Sequence, residues 1–175
     1  MKNIIITGFM GTGKTVVGNV LAKKLSCSFV DLDTLIEEME GKSIPEIFAE
    51  KGEYYFRQVE TNAIKGALQG ETKVISTGGG ALLKKENQQM LIKGGAVICL
   101  TASVEEIYKR VGTGEGRPLL KAEDPLKVIR ELLKKREDIY GKVPHKISTN
   151  GKSPEKIAEE IIYLLKKNEY IQTNF

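Results

Sequence analysis

The sequence predicts an α/β fold of three layers, α/β/α, with a parallel β-sheet between two sets of helices. Two observations predict it. Short apolar runs alternate along the chain with longer segments whose apolar residues recur at helical spacing. The first run, Ile4-Ile5-Ile6-Thr7, is continuously apolar instead of alternating, as a strand buried on both faces must be. The 175 residues allow about one domain, with room for a lobe or a lid but not for a second core.

Each element follows from its own residues. After the first strand, residues 14–25 read as a helix with Val17, Val20, Leu21 and Leu25 on one face. Phe29-Val30-Asp31-Leu32 is the second strand. Residues 34–40 and 44–51 are helical, parted by Gly41, and a longer helix covers 53–68 and stops near Gly70. Lys73–Ser76 is the third strand, 84–93 a helix ending at Gly94-Gly95, and Ala96–Leu100 the fourth strand. Ser103 opens a helix through Arg110, and Glu106 three residues later suggests a capping box. Gly112, Gly114, Gly116 and Pro118 break regular structure, so 112–123 reads as a loop. A helix at 125–140, a short strand at 145–148 and a final helix opened by Ser153-Pro154 complete the order. The tail after Lys167 is expected to fray.

Composition narrows the function. Hydrophobic residues make up 41% and charged residues 29%, which is globular. The net charge of +4 is modest, Trp is absent, and Lys134-Lys135-Arg136 shares its helix with Glu131, Glu137 and Asp138. That is a solvated face and not the basic stripe of a nucleic-acid binder, so no nucleic acid is expected as partner. No apolar run approaches the ~18 residues of a spanning helix, and Met1 leads directly into a strand pattern instead of a signal peptide. No membrane partner and a cytoplasmic location are therefore expected. Cys27 and Cys99 read as buried thiols, and a monomer is the default.

Gly8–Thr15, GFMGTGKT, matches G-x-x-x-x-G-K-[ST] between a strand and a helix, the context this pattern requires. Its glycines let backbone N–H groups turn onto a phosphate, and the helix start adds partial positive charge. Lys14 brings an ammonium to the outer phosphates, and Thr15 a hydroxyl to Mg²⁺. A nucleoside triphosphate with Mg²⁺ is the implied ligand. The guanine-reading N-K-x-D pattern is missing, since Asn150-Gly151-Lys152-Ser153 lacks the aspartate, which favours ATP.

The strand ends nearby carry chemistry suited to an acceptor. Asp31 and Asp33, two residues apart, fall on one face of an extended segment. One carboxylate can hold a Mg²⁺-bound water and the other can deprotonate a hydroxyl. The alternative is that Asp33 simply caps the helix from Thr34. Arg57 stands beside Phe56 with Glu60 one turn on, either surface support or a cation facing a packed interior. Gly78-Gly79-Gly80 at a strand end permits close approach to backbone, or forms a plain turn. Arg117 and Pro118 in the Gly-rich loop 112–123 have the makeup of a lid that brings charge to a transferring phosphoryl group. His145, the only histidine, has no Cys, His or carboxylate cluster around it and reads as structural or as a surface residue.

Over about residues 3–165 the ordered set GFMGTGKT, DLD at 31–33, GEYYFRQVE at 52–60, STGGGALL at 76–83, GRPLL at 116–120 and REDIY at 136–140 resembles the shikimate kinases. The resemblance implies a P-loop fold with a five-stranded sheet in order 2-3-1-4-5, related to the nucleoside-monophosphate kinases. It implies a core formed by 1–32, 71–111 and 141–168, a substrate-binding lobe at 33–61 and a lid at 112–123. The implied reaction moves the γ-phosphoryl of ATP to the 3-hydroxyl of shikimate, with Mg²⁺. Arg57, Arg136 and the backbone of Gly79 and Gly80 would hold the shikimate carboxylate, Glu60 would orient Arg57, and Asp33 would be the base. Gly11, Thr12, Gly13, Lys14, Thr15 and Val16 would hold the phosphates, with Asp31 reaching Mg²⁺ through water and Arg117 closing on the phosphates. Arg110 and Pro118, with Lys152 and Ser153, would flank the adenine. One departure is Pro144-His145, where the family usually carries Ala-Asp. The competing readings are a related small-molecule kinase such as one for gluconate, a nucleoside-monophosphate kinase, and a non-catalytic nucleotide-binding module.

Overall fold

The computed structural model describes residues 2–111 and 124–171. Five strands, β1 (Asn3–Gly8), β2 (Ser28–Asp31), β3 (Lys73–Ser76), β4 (Gly95–Thr101) and β5 (His145–Ser148), form one parallel sheet in the order β2-β3-β1-β4-β5. The helices are α1 (Lys14–Leu25), α2 (Leu32–Glu40), α3 (Ile44–Ala67), α4 (Lys85–Gly94), α5 (Val104–Val111), α6 (Pro125–Gly141) and α7 (Pro154–Lys167). β1 is central, and its register sets Ile4 beside Val74 and Ala96 and Ile6 beside Ser76 and Ile98.

This position explains the unbroken apolar run. Ile4 and Ile6 pack with Val17 and Leu21 of α1 and Ile157, Ile161 and Leu165 of α7. Ile5 points the other way, into a core with Leu32, Phe56, Ile64, Leu91, Ile107 and Ile129 from α2 to α6. Alternate residues of one strand therefore serve two separate cores, and neither face can be polar.

Element ends depart from expectation where side chains compete. α3 joins the two expected helices, with Gly52 (φ 77°, ψ 174°) breaking the helical conformation between them. A capping box forms at Ser43, whose N–H donates to Glu46 Oε2 at 2.8 Å. The box expected at Ser103 is only half made. Glu106 N–H donates to Ser103 Oγ, but Ser103 N–H donates to Asn150 Oδ1, and the Glu106 carboxylate pairs with Arg110 at 2.8 Å. A guanidinium one turn on is a stronger partner for a carboxylate than a backbone amide.

The expected fraying after Lys167 is corrected for 168–171. Tyr170 N–H donates to Leu165 O, Ile171 is buried against the α1/α7 core, and Tyr170 meets His145 edge-on. His145 thus has the structural place expected of it. Cys99 is buried, which pushes its thiol up to about 11, but Cys27 is only half-buried at the end of α1. Among the described residues, no helix is long and apolar enough to cross a membrane.

Candidate active site

β1 delivers the chain to the glycine-rich turn, and Gly13 caps α1 at φ 88°, a left-handed conformation that L side chains resist. The turn is braced on one carbonyl. Thr12 Oγ1 donates to Phe9 O at 2.8 Å and Lys14 Nζ donates to it at 3.0 Å. Thr15, one residue into α1, donates its hydroxyl to Asp31 Oδ2 at 2.7 Å, joining the turn to the end of β2. Val16 is exposed beside it.

The two aspartates divide their roles differently from the expected pair on one extended segment. α2 starts at Leu32, so Asp31 is its N-cap and accepts from the N–H groups of Asp33 and Thr34. The capping alternative for Asp33 is therefore overturned. Asp33 lies in the first turn of the helix, and capping makes no demand on its carboxylate. Burial, then the charge of Asp31, pushes that carboxyl up to about 6, with Lys14 pulling the other way. Its Oδ1 lies 2.5 Å from the point where a Cβ on Gly78 would stand.

Arg57 projects from α3 to the same glycines. Glu60, 2% exposed, accepts from its Nη1 at 2.8 Å, and the exposed Glu53 accepts from Nη2 at 3.2 Å. A Cβ on Gly80 would meet Nη1 at 2.7 Å and Nη2 at 2.8 Å. Arg136 comes from α6 and donates Nη1 to Gly79 O at 3.0 Å, with its guanidinium 5.5 Å from the centre of the Phe9 ring. Three charged side chains from three helices thus meet at Gly78–Gly80, and at Gly78 and Gly80 they occupy space that a methyl group would need.

On the far side of the phosphate turn, Arg110 donates to Gly11 O and to both Thr149 Oγ1 and Thr149 O. It ties α5 to the turn and to the loop before α7. In that loop Ser153 Oγ caps α7 and Lys152 pairs with Glu160 at 2.7 Å. Arg117 and Pro118, with the whole expected lid at 112–123, lie outside the described residues.

A model of the shikimate kinases matches residues 10–166. The chain belongs to the shikimate kinase family. The shikimate kinase of Thermodesulfovibrio yellowstonii is 48% identical over 93% of this chain and 94% of its own. That of Caldanaerobacter subterraneus is 46% identical over 93% and 95%. The solved shikimate kinase of Acinetobacter baumannii in complex with shikimate superposes with a TM-score of 0.92, at 37% identity, over 98% of this chain and 96% of that one. A gluconokinase from Sinorhizobium meliloti, at 19% identity and a TM-score of 0.63, shares the fold alone.

Membership of the shikimate kinase family makes this chain an ATP-dependent kinase, a transferase of the shikimate pathway. Within that frame the structure brings together Asp33, Arg57, Glu60, Arg136 and Gly78–Gly80, all singled out in the sequence. It adds two residues that the sequence did not single out. Glu53 lies four residues before Arg57, a helical spacing that could have marked it. Tyr140, buried on α6, donates its hydroxyl to Gly79 O at 2.6 Å, and no local pattern signals a partner 61 residues away.

Proposed function

We propose that shikimate binds at Gly78–Gly80 with its carboxylate on Arg57 and Arg136, and that Asp33 takes the proton of the hydroxyl receiving the γ-phosphoryl of ATP. The convergence of two guanidiniums and one high-pKa carboxylate on three consecutive glycines supports this reading. Planar forks fix both the place and the angle of a carboxylate, which a single ammonium does not. Glu60 holds Arg57 from below while the end of the guanidinium faces Gly80.

The nucleotide is assigned to Gly11–Val16, with the α1 N-terminus and Lys14 on its phosphates. Arg110, Lys152, Ser153 and Pro118 are assigned to the adenine end, Arg117 to the phosphates, 33–61 to the acceptor lobe and 112–123 to the lid. The donor set at Thr15 and Asp31 fits Mg²⁺. It offers hard oxygens, and among the described residues no group of three or more His, Cys, Asp or Glu forms an all-protein cage. Bound there with ATP, Mg²⁺ would supply positive charge to neutralise the phosphates. Thr15 and Asp31 would hold it, Asp31 through water, and α2 keeps Asp31 in place because it needs the same carboxylate as its cap.

The test is ADP release from Mg-ATP with shikimate, gluconate, AMP or no acceptor, for the wild type, Arg57→Lys and Arg136→Lys. Turnover with shikimate alone is expected, with KM for shikimate raised in both variants and KM for ATP nearly unchanged. Variants that change only KM for ATP would overturn the carboxylate site.

A further inference from the structure

Gly79 O accepts two hydrogen bonds from α6, at 3.0 Å from Arg136 Nη1 and at 2.6 Å from Tyr140 Oη. Tyr140 is 9% exposed, and its ring belongs to the core that carries Phe9 and Phe56. Burial pushes its phenol up, so the group stays a protonated donor through neutral pH.

The peptide bond between Gly79 and Gly80 is planar and trans. Its N–H therefore points opposite to its carbonyl. A carbonyl held toward α6 by two donors fixes the Gly80 N–H away from α6. Neither Gly79 N–H nor Gly80 N–H donates to a protein acceptor among the described residues. Ala81 N–H and Leu83 N–H hold the carbonyls of Gly78 and Gly80, but without Tyr140 one guanidinium would have to hold the Gly79 carbonyl alone, between glycines whose backbone resists rotation least. The same guanidinium would also have to serve the ligand.

We infer that Tyr140 is a positioning residue for the acceptor site: its hydroxyl sets the Gly79–Gly80 peptide plane, so that the Gly80 N–H meets the shikimate carboxylate and Arg136 keeps its other donors for that carboxylate. The inference rests on the carboxylate site proposed above. The plane is set through the ring's place in the core, which does not depend on ligand.

Tyr140→Phe is the probe, because it removes one oxygen and leaves the ring. Gly79 O retains Arg136, so no buried carbonyl is orphaned and the variant is expected to fold. Its affinity for shikimate, measured by calorimetry without ATP, is expected to fall about 3- to 10-fold, the scale of one hydrogen bond. KM for ATP should stay within about twofold. The decisive arm repeats the titration with an analogue whose carboxylate is replaced by hydroxymethyl. The wild type and Tyr140→Phe should bind that analogue equally, because the lost contact is with the carboxylate. An equal loss for both ligands would mean general loosening and would overturn the inference, as would no loss for either. Arg136→Lys is run alongside. If it leaves shikimate affinity unchanged, the carboxylate site itself is wrong. If it weakens shikimate while Tyr140→Phe does not, only the role of Tyr140 fails. Should Tyr140→Phe prove too unstable to titrate, Tyr140→Met, which fills apolar space and carries no hydroxyl, takes its place with the same two ligands and the same readings.

Discussion

The end of the Arg57 guanidinium occupies the space that a side chain on residue 80 would need, with Nη1 only 2.7 Å from an ideal Cβ on Gly80. The backbone of Gly80, at φ −106° and ψ −1°, has a negative φ, so alanine meets no left-handed penalty there. Gly80→Ala therefore tests the close approach and not the turn. The methyl group would push the flexible end of Arg57 aside. Expected are a stability change within about 1 kcal/mol, since only a side-chain tip must yield, and KM for shikimate raised by about 10-fold or more. Gly78→Ala makes the complementary displacement, because its Cβ would stand 2.5 Å from Asp33 Oδ1. It should lower kcat more than it raises KM. Steady-state kinetics of the two variants check this split, and a matching loss in both parameters for both would contradict separate roles for the two glycines.

Asp31 serves two partners at once, capping α2 and accepting from Thr15. Asparagine caps nearly as well as aspartate, so Asp31→Asn removes charge while keeping the cap. The melting temperature should stay within a few degrees, while the Mg²⁺ concentration for half-maximal rate rises about 10- to 100-fold, as for loss of an outer-sphere ligand. Asp31→Ala should show the same Mg²⁺ effect and lose about 1 kcal/mol of stability besides. Titrating Mg²⁺ at fixed ATP distinguishes the two, and an unchanged Mg²⁺ requirement in Asp31→Asn would remove Asp31 from the metal site.

The contrast between Asp31 and Asp33 shows how far the sequence could be read. That both carboxylates stand near the phosphate turn followed from the strand whose end they mark, with Asp31 its last residue and Asp33 just beyond it, and the sheet order matches that of the family. Which one caps the helix depended on α2 starting at Leu32 instead of Thr34, a shift that local preferences do not resolve. Tyr140 was unreadable for another reason. A tyrosine on an amphipathic helix looks like core, and it is core; only its hydroxyl reaches Gly79. Ile171 similarly lies in a polar tail, and its burial comes from joining the core that α1 and α7 share and not from its neighbours in sequence.

Two glutamates hold Arg57, and they should not count equally. Glu60 is 2% exposed and Glu53 66% exposed. Burial raises the Glu60 carboxyl, an effect that the Arg57 charge opposes. Removing its charge leaves a buried guanidinium edge with a weaker partner, whereas water replaces Glu53 readily. Glu60→Gln is expected to cost about 1–3 kcal/mol and to raise KM for shikimate. Glu53→Gln should stay within about 0.5 kcal/mol with little change in KM. Thermal denaturation with kinetics on both variants decides. Equal losses would mean that Arg57 is held as a fork between two carboxylates and not pinned from the buried side.

Asp33 makes the sharpest claim, because burial and the charge of Asp31 hold its carboxyl at about 6 instead of 3.8. A base must be ionised to accept a proton, so kcat/KM for shikimate should fall below pH ~6 on an acid limb that belongs to Asp33. Asp33→Asn should lower kcat roughly 10²–10⁴-fold and remove that limb. Stability should move in the opposite sense. The folded-state pKa lies above the unfolded one, so the folded protein binds more protons between pH 4 and 6, and the ionised carboxylate costs stability above pH 6. Below both values Asp33 is neutral and the cost is gone. Asp33→Asn should therefore be more stable than the wild type by about 1–3 kcal/mol at pH 8, with the gain shrinking to nothing near pH 3. Denaturant unfolding at the two pH values, set beside the rate profile, tests both halves. A variant that is inactive yet no more stable at pH 8 would mean that Lys14 already offsets the charge, and the acid limb would then lie well below pH 6.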